Sequence, residues 1–277
     1  MKLKIFLLLI LSLTISSAQR KWKRSEPKPE QELQLLHSTH VINFPTTTTL
    51  KKGEWEFEIS HRFYPTVNSG DNNFWGLDGP VFMRIALAYA FDDKSIIAIG
   101  RSNYRDNYDL SIKRQFYEFE NVVLPFQIAA RVGTAWNTQL NDLDVNDTRN
   151  FQYYGQIIIN SYYNKFIGIG IVPSYLFNSH PGNINKQSSF TLGSYLQFYF
   201  LKFWSVILEW NPTLSGYREG YNTFSAGVEI ETGGHFFKII ATNNAYLNTS
   251  QVLPGADKSI LDGDWRLGFN ITRLLTF

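Results

Sequence analysis

The sequence has 277 residues, a formal net charge of +2, no cysteine and 16% aromatic residues. The absence of cysteine excludes disulfides and a cysteine-borne lipid anchor, and the near-neutral charge argues against a nucleic-acid partner. No Pro/Gly/Ser-rich linker divides the middle of the chain, so one large domain is expected, with no cofactor.

Lys2 and Lys4 precede an apolar run from Ile5 to Leu13, which Thr14 to Ser17 end before the small residue Ala18. This is the three-part pattern of a secretory signal peptide, and the run is shorter than the ~20 residues of a spanning helix. The expected organisation is a signal peptide over 1–18, a periplasmic N-terminal segment over 19–50 and a barrel over 51–277. Arg20, Lys21, Lys23 and Arg24 form the one local charge excess, and residues 20–36 are the expected docking segment for a periplasmic partner. The stretch from Gln31 to Leu50 carries His37, His40 and the run Thr46 to Thr49. It fits either a plug inside a barrel or a periplasmic tether.

From Glu54 the chain alternates polar and apolar residues. Trp55, Phe57, Ile59 and Phe63 lie on one face, with Glu54, Glu56, Glu58, Ser60 and Arg62 on the other. A period of two over this length predicts a strand. Further apolar stripes follow: Val81 to Tyr89 opposite Arg84, Tyr108 to Ile112 opposite Asp109 and Lys113, and Leu124 to Val132 opposite Gln127 and Arg131. Others start at Phe151, Ile167, Phe190, Val206 (opposite Glu209), Phe224 (opposite Glu229 and Glu231) and Trp265 (opposite Arg266). The segments at 96–101 and 236–242, the second containing Lys238, are strand-like but ambiguous in facing. The count is about twelve.

The connections alternate in length, short at Asp92 to Lys94, Tyr162 to Lys165, Leu201 to Trp204 and Gly233 to Gly234. They are long at Pro65 to Pro80, Asn137 to Asn150, Asn178 to Gln187 and Asn243 to Asp262. Short periplasmic turns and long outer loops have this rhythm in bacterial membrane barrels. Aromatics fall at both ends of the stripes, where amphipathic rings favour the headgroup region. Trp55, Tyr89, Phe126, Phe200, Trp204 and Phe277 would form the periplasmic girdle. Phe63, Tyr108, Trp136, Tyr153, Phe177, Trp210, Phe224 and Trp265 would form the outer one. Turning the first strand over would place Glu54, Glu56, Glu58 and Arg62 in hydrocarbon, where a basic side chain at the midplane costs ~2–4 kcal/mol. The apolar stripe must face lipid. An open sheet in lipid would leave unsatisfied edges, so the barrel must close. The expected fold is all-β, a closed antiparallel up-and-down transmembrane barrel of about 12 strands with a polar lumen in the bacterial outer membrane. Its partners would be outer-membrane lipid and the barrel assembly machinery, the latter through the C-terminal strand ending on Phe277.

Several segments resemble a family of outer-membrane β-barrel proteins from Bacteroidota classified as a domain of unknown function. They are Ile42-Asn43-Phe44-Pro45-Thr46-Thr47, His61-Arg62-Phe63, Phe74-Trp75-Gly76-Leu77-Asp78-Gly79, Ile99-Gly100-Arg101-Ser102-Asn103-Tyr104 and Gly233-Gly234-His235-Phe236-Phe237 followed by Thr242-Asn243. The resemblance spans roughly residue 40 to the C-terminus. It implies an outer-membrane barrel and brings no substrate or catalytic residue with it.

The residues expected to line the lumen are Glu54, Glu56, Glu58, Arg62, Arg84, Asp109, Lys113, Arg131, Glu209, Glu229, Glu231, Lys238 and Arg266. Mixed charges there either seal the barrel or line a water-filled pore. The small inward residues Ala86, Ala88, Gly133, Gly168, Gly170, Gly193, Gly227 and Gly268 provide strand curvature and room for long neighbours, or line a channel. His37 with His40 makes at most half of a zinc site. Asp142, Asp144, Asn146 and Asp147 begin like a calcium loop but lack its glycine and final glutamate. The five histidines form no catalytic set on paper, so an enzyme is not expected. A small channel or transport-associated barrel is the leading expectation, a structural or partner-docking barrel the second, and a lipid-modifying barrel using His61 and His180 the third.

Overall fold

A computed structural model describes residues 36–121, 124–140, 143–164, 166–201 and 203–276. The expected signal peptide, the basic cluster at Arg20 to Arg24, nearly all of the docking segment at 20–36, and Phe277 lie outside the described residues.

Alternating sequence becomes antiparallel strands: β1 (Trp55–Phe63), β2 (Val81–Asp92), β3 (Ser95–Ser102), β4 (Asn107–Phe119), β5 (Phe126–Asn137), β6 (Phe151–Tyr163) and β7 (Ile167–Phe177). They continue with β8 (Ser188–Leu201), β9 (Trp204–Asn211), β10 (Thr213–Gly216), β11 (Thr223–Glu231), β12 (His235–Thr242) and β13 (Arg266–Leu275). β9 and β10 both pair with β8 and are two halves of one strand, interrupted at Pro212. Proline has no N–H for the ladder, which breaks there. Twelve strands therefore run up and down. β1 pairs with β13 and β8 with β9, so the sheet closes on itself without an edge.

One end of the barrel carries short turns, at 93–94, 164–166, 202–203 and 232–234, with a six-residue connection at 120–125. Gly233 and Gly234, at φ 64° and 97°, supply the left-handed backbone that the turn between β11 and β12 needs. The other end carries the connections at 64–80, 138–150, 178–187 and 243–265, with shorter ones at 103–106 and 217–222.

The outward face is apolar. Ile112 on β4, Val132 on β5, Ile159 on β6 and Ile239 on β12 are exposed to the surroundings of the barrel. At the short-turn end Trp55 and Tyr89 oppose each other across β1 and β2, with ring centroids 4.6 Å apart. Phe200 and Trp204 are exposed at the same end. At the loop end Trp136 lies between Tyr108 (6.1 Å) and Phe151 (5.9 Å), Trp265 meets Phe224 at 5.7 Å, and Tyr153 pairs with Phe177. Phe63 ends β1, and Trp210 opposes Phe224 across β9 and β11.

The two strands of ambiguous phase now have a facing. In β3 Ile97, Ile99 and Arg101 point out while Ile96, Gly100 and Ser102 point in; in β12 Phe237 and Ile239 point out while Phe236, Lys238 and Ile240 point in. Both inward faces carry large apolar residues, which blurs the alternation. The reason lies inside the barrel, where Ile96 packs on Leu50 and Ile240 belongs to the cluster containing Ile42 and Phe44.

A plugged lumen as the candidate functional site

The wall of the lumen is built from inward positions of every second residue. Glu56, Glu58, Asp109, Glu209 and Glu229 are buried there, as are Arg62, Arg84, Lys113, Arg131, Lys238 and Arg266. Two of the expected residues lie at the rim instead. Glu54 precedes β1 at the short-turn end, where its carboxylate accepts from the Lys51 amide (2.9 Å). Glu231, at the end of β11, is half-exposed and pairs with His37 (2.9 Å).

Buried charges persist only when paired or fully hydrogen-bonded. Arg84 pairs with Glu58 (2.8 Å), Arg131 with Asp109 (3.7 Å), Lys238 with Glu229 (3.2 Å) and Arg266 with Asp257 (2.7 Å). Glu56, Glu209, Arg62 and Lys113 have no ion-pair partner within 4 Å among the described residues. All four instead reach residues 36–50, which fold as a finger inside the barrel.

The finger enters at the short-turn end, turns, and returns to the same end. Leu36 packs at Gly168 near the start of β7, and Thr49 donates to the carbonyl of Asp93 in the first short turn (2.6 Å). Between them Thr46 N–H donates to the Thr39 carbonyl and Val41 N–H to that of Phe44, both at 2.9 Å, so the apex is 41–44. There the carboxylate of Glu209 accepts the amides of Ile42 (2.7 Å), Asn43 (2.8 Å) and Phe44 (3.2 Å), and Asn43 Nδ2 (2.9 Å). Lys113 Nζ does the opposite, donating to the carbonyls of Thr39, Thr46 and Thr48 (3.4, 2.9 and 2.6 Å). Glu56 accepts from Thr39 Oγ1 (2.5 Å), and Arg62 donates to Asn43 Oδ1 (3.3 Å). Asn160 and Asn270 add bonds to the Thr47 amide (2.7 Å) and the Ile42 carbonyl (3.0 Å). The wall thus grips the finger mainly through its peptide groups.

The small inward residues are recesses for this finger as well as for long neighbours. A Cβ at Gly168 or Gly193 would collide with Leu36 or Phe44, one at Gly227 would meet the Ile239 carbonyl and crowd Ile42, and one at Gly133 or Gly170 would collide with the ring of Tyr154 or Tyr195. Gly268 and Gly100 leave room for Arg62 and Arg84.

The connection at 243–265, expected as an outer loop, folds into the opposite mouth. It carries a single helical turn, α1 (Thr249–Val252), and Ala245, Tyr246 and Asn248 to Ala256 are buried. Its polar side chains meet the wall's: Arg84 Nε donates to Asn248 Oδ1 (2.7 Å), Arg131 to Thr249 Oγ1 (3.0 Å), and Asn248 Nδ2 to the carbonyl of Asn107 (3.0 Å). Bonding to buried groups of the wall, rather than to water, turns this loop inward. Leu253 joins the apolar cluster containing Val41, Ile42 and Phe44, so the two inserts meet inside the barrel. Between them remains a cavity of about 20 Å³, lined by both inserts and by the wall. That is room for a water molecule or another occupant of a few atoms.

The histidines lie apart. His37 lies tilted against Tyr199 (4.7 Å), His40 sits on the finger, His61 stacks on Phe269 (4.6 Å), and His180 stacks on Tyr217 (4.6 Å) in the loops. His37 and His40 do not share a ligand position, since His37 turns to Glu231 and His40 to Thr39. Asp144 and Asp147 cap their own turns, accepting from the amides of Asn146 and Arg149, while Asp142 lies outside the described residues. Among the described residues no group of three or more metal-ligating side chains converges. Asn160 and Asn248 are contributors that the sequence reading passes over: Asn160 is an inward position of β6, a strand without charged residues, and Asn248 lies in the 243–265 connection, where no strand period applies.

A family model described as a membrane bound beta barrel domain (DUF5777) matches residues 36–275. No curated protein matches by sequence. Among solved structures, the COG4313 outer membrane channel from Pseudomonas putida F1 is similar with a TM-score of 0.53 and 10% identity, over 83% of this chain and 98% of that one. The NanC porin aligns with a TM-score of 0.49 and 7% identity, over 80% of this chain and 99% of that one. At 10% identity the likeness to the COG4313 channel is one of fold.

Proposed function

The chain belongs to the family of membrane-bound β-barrel domains designated DUF5777, and on that premise we propose that it is an outer-membrane channel for a small polar solute, held closed by two inserts. The observation that carries this reading is the finger at 36–50. It enters and leaves at one end, and its bonds to the wall are separate from the strand ladder. Withdrawing it breaks no strand pairing. The wall it would leave behind carries charges of both signs, which in a barrel of this width favour water over collapse. The short-turn end is then periplasmic, as in other bacterial barrels, and the finger is a periplasmic plug. The loop insert at 243–265 closes the outer half, so the two barriers stand in series.

Planar-bilayer recordings test this on three proteins whose folding is checked by gel mobility with and without boiling. These are the full chain, a variant with residues 37–49 replaced by a short Gly/Ser bridge, and one with residues 245–256 excised as well. The full chain is expected to be silent and the doubly shortened barrel to give discrete conductance steps. A folded, doubly shortened barrel that stays silent overturns the channel and leaves a structural or partner-docking barrel.

A further inference from the structure

The small cavity where the two inserts meet has an unusual lining. Arg62, Arg84 and Arg131 all border it, with Glu58 as the one carboxylate; His40, Ile42 and Asn43 come from the finger, and Leu247 and Thr249 from the loop insert. Glu58 is already engaged, because its Oε1 accepts from Arg84 (2.8 Å) and from Ser60 (2.6 Å). Arg131 faces Asp109 at 3.7 Å. Arg62 has no such partner. It is 1% exposed, its Nη atoms donate to His61 O, Asn270 Oδ1 and Asn43 Oδ1, and its Nε has no hydrogen-bond partner among the described residues. A buried guanidinium with no carboxylate within 4 Å and an unpartnered Nε is costly, and a small anion beside it would supply a close counter-charge and the missing acceptor.

We propose that this cavity binds a small monovalent anion, a halide or the carboxylate end of a small solute, between Arg62, Arg84 and Arg131. The size admits such an ion or terminal carboxylate and leaves no room for a bulkier group. Asn43 and Thr249 border the same space, so the ion touches finger, wall and loop insert together and ties both closures to one another. The site does not depend on whether the opened barrel conducts.

The test uses the full chain folded in detergent and its thermal unfolding midpoint, followed by tryptophan fluorescence at constant ionic strength in sodium chloride, bromide, formate or gluconate. The midpoint is expected to rise with the logarithm of the concentration of a bound ion, as linkage requires, and not with gluconate. A rise with the halides alone assigns the site to an inorganic ion; a rise shared by formate assigns it to the carboxylate chemistry of a solute. Equal midpoints in all four salts overturn the proposal. Arg62→Gln should abolish the difference between chloride and gluconate. Because Arg62 also holds Asn43 and Asn270, that variant could fail to fold, and bromide-soaked crystals of the unsubstituted chain give an independent readout. An anomalous peak in the cavity supports the site, and its absence overturns it.

Discussion

Glu209 on β9 and Asn43 at the apex of the finger are joined three times. The Asn43 amide lies 2.8 and 3.1 Å from the two carboxylate oxygens, and its Nδ2 lies 2.9 Å from one of them. With the amides of Ile42 and Phe44 this is a nest of N–H groups closed around a carboxylate of the wall, an arrangement that suits anions. It makes Glu209 the main electrostatic latch of the finger.

Replacing Glu209 by alanine therefore strands several buried N–H groups. At 1.5–3 kcal/mol for a hydrogen bond to a charged group, the loss to the docked finger is about 3 kcal/mol, on the order of a hundredfold in occupancy. Since the chain has no cysteine, Val41→Cys is a unique label site, and its reaction with a water-soluble maleimide should speed up by that factor in Glu209→Ala. An unchanged rate would show that the latch lies elsewhere.

Gly193 faces the ring of Phe44, and a Cβ there would overlap it. Gly193→Val keeps a strand-compatible side chain but overfills the recess, at about 1–3 kcal/mol. The barrel should still form while the finger apex is pushed out. Phe44→Ala, costly by itself, should cost less in the Gly193→Val background, and strict additivity of the two would refute the contact.

Ile112 is 45% exposed on the outward face of β4, next to the buried Lys113. Ile112→Arg should lower barrel stability in lipid vesicles by ~2–4 kcal/mol, the cost of a basic side chain near the midplane. Urea unfolding in vesicles measures it. A change near zero would mean that this face does not meet hydrocarbon.

His37 stands at the root of the finger. Burial disfavours its charged form, but the hydrogen bond and charge of Glu231, with Glu229 behind, outweigh burial and raise its pKa above the usual 6.5. A raised pKa stabilises the docked root fully below about pH 6.5, and that contribution fades as pH climbs through the folded value. Maleimide labelling of Val41→Cys should accelerate across that alkaline interval, and His37→Gln should flatten the profile. A profile that stays as steep in His37→Gln assigns the pH dependence to another group.

Much of this molecule is written in its sequence. A period of two gives the strands, and the cost of charge in hydrocarbon decides which stripe meets lipid. Those two rules place Ile112 outside and Lys113 inside without any coordinates. They fail at Ile96, Ile158, Ile207 and Ile240, which are apolar and point inward. Those residues face the finger or other apolar groups inside the barrel rather than water, and no local pattern carries that information. Gly193 likewise reads as curvature until Phe44 is seen in its recess. The polar composition of 36–50 suits a tether as well as a plug.

Alternation, charge and loop rhythm thus determined a closed barrel with a polar interior, because strand period and lipid exposure are properties of neighbouring residues. Whether that interior is open was decided only by the tertiary structure. Closure depends on Glu209 meeting amides 165–167 positions away and on Arg84 meeting Asn248 across the lumen. Such pairings come into being when the sheet closes and brings distant residues within hydrogen-bonding reach.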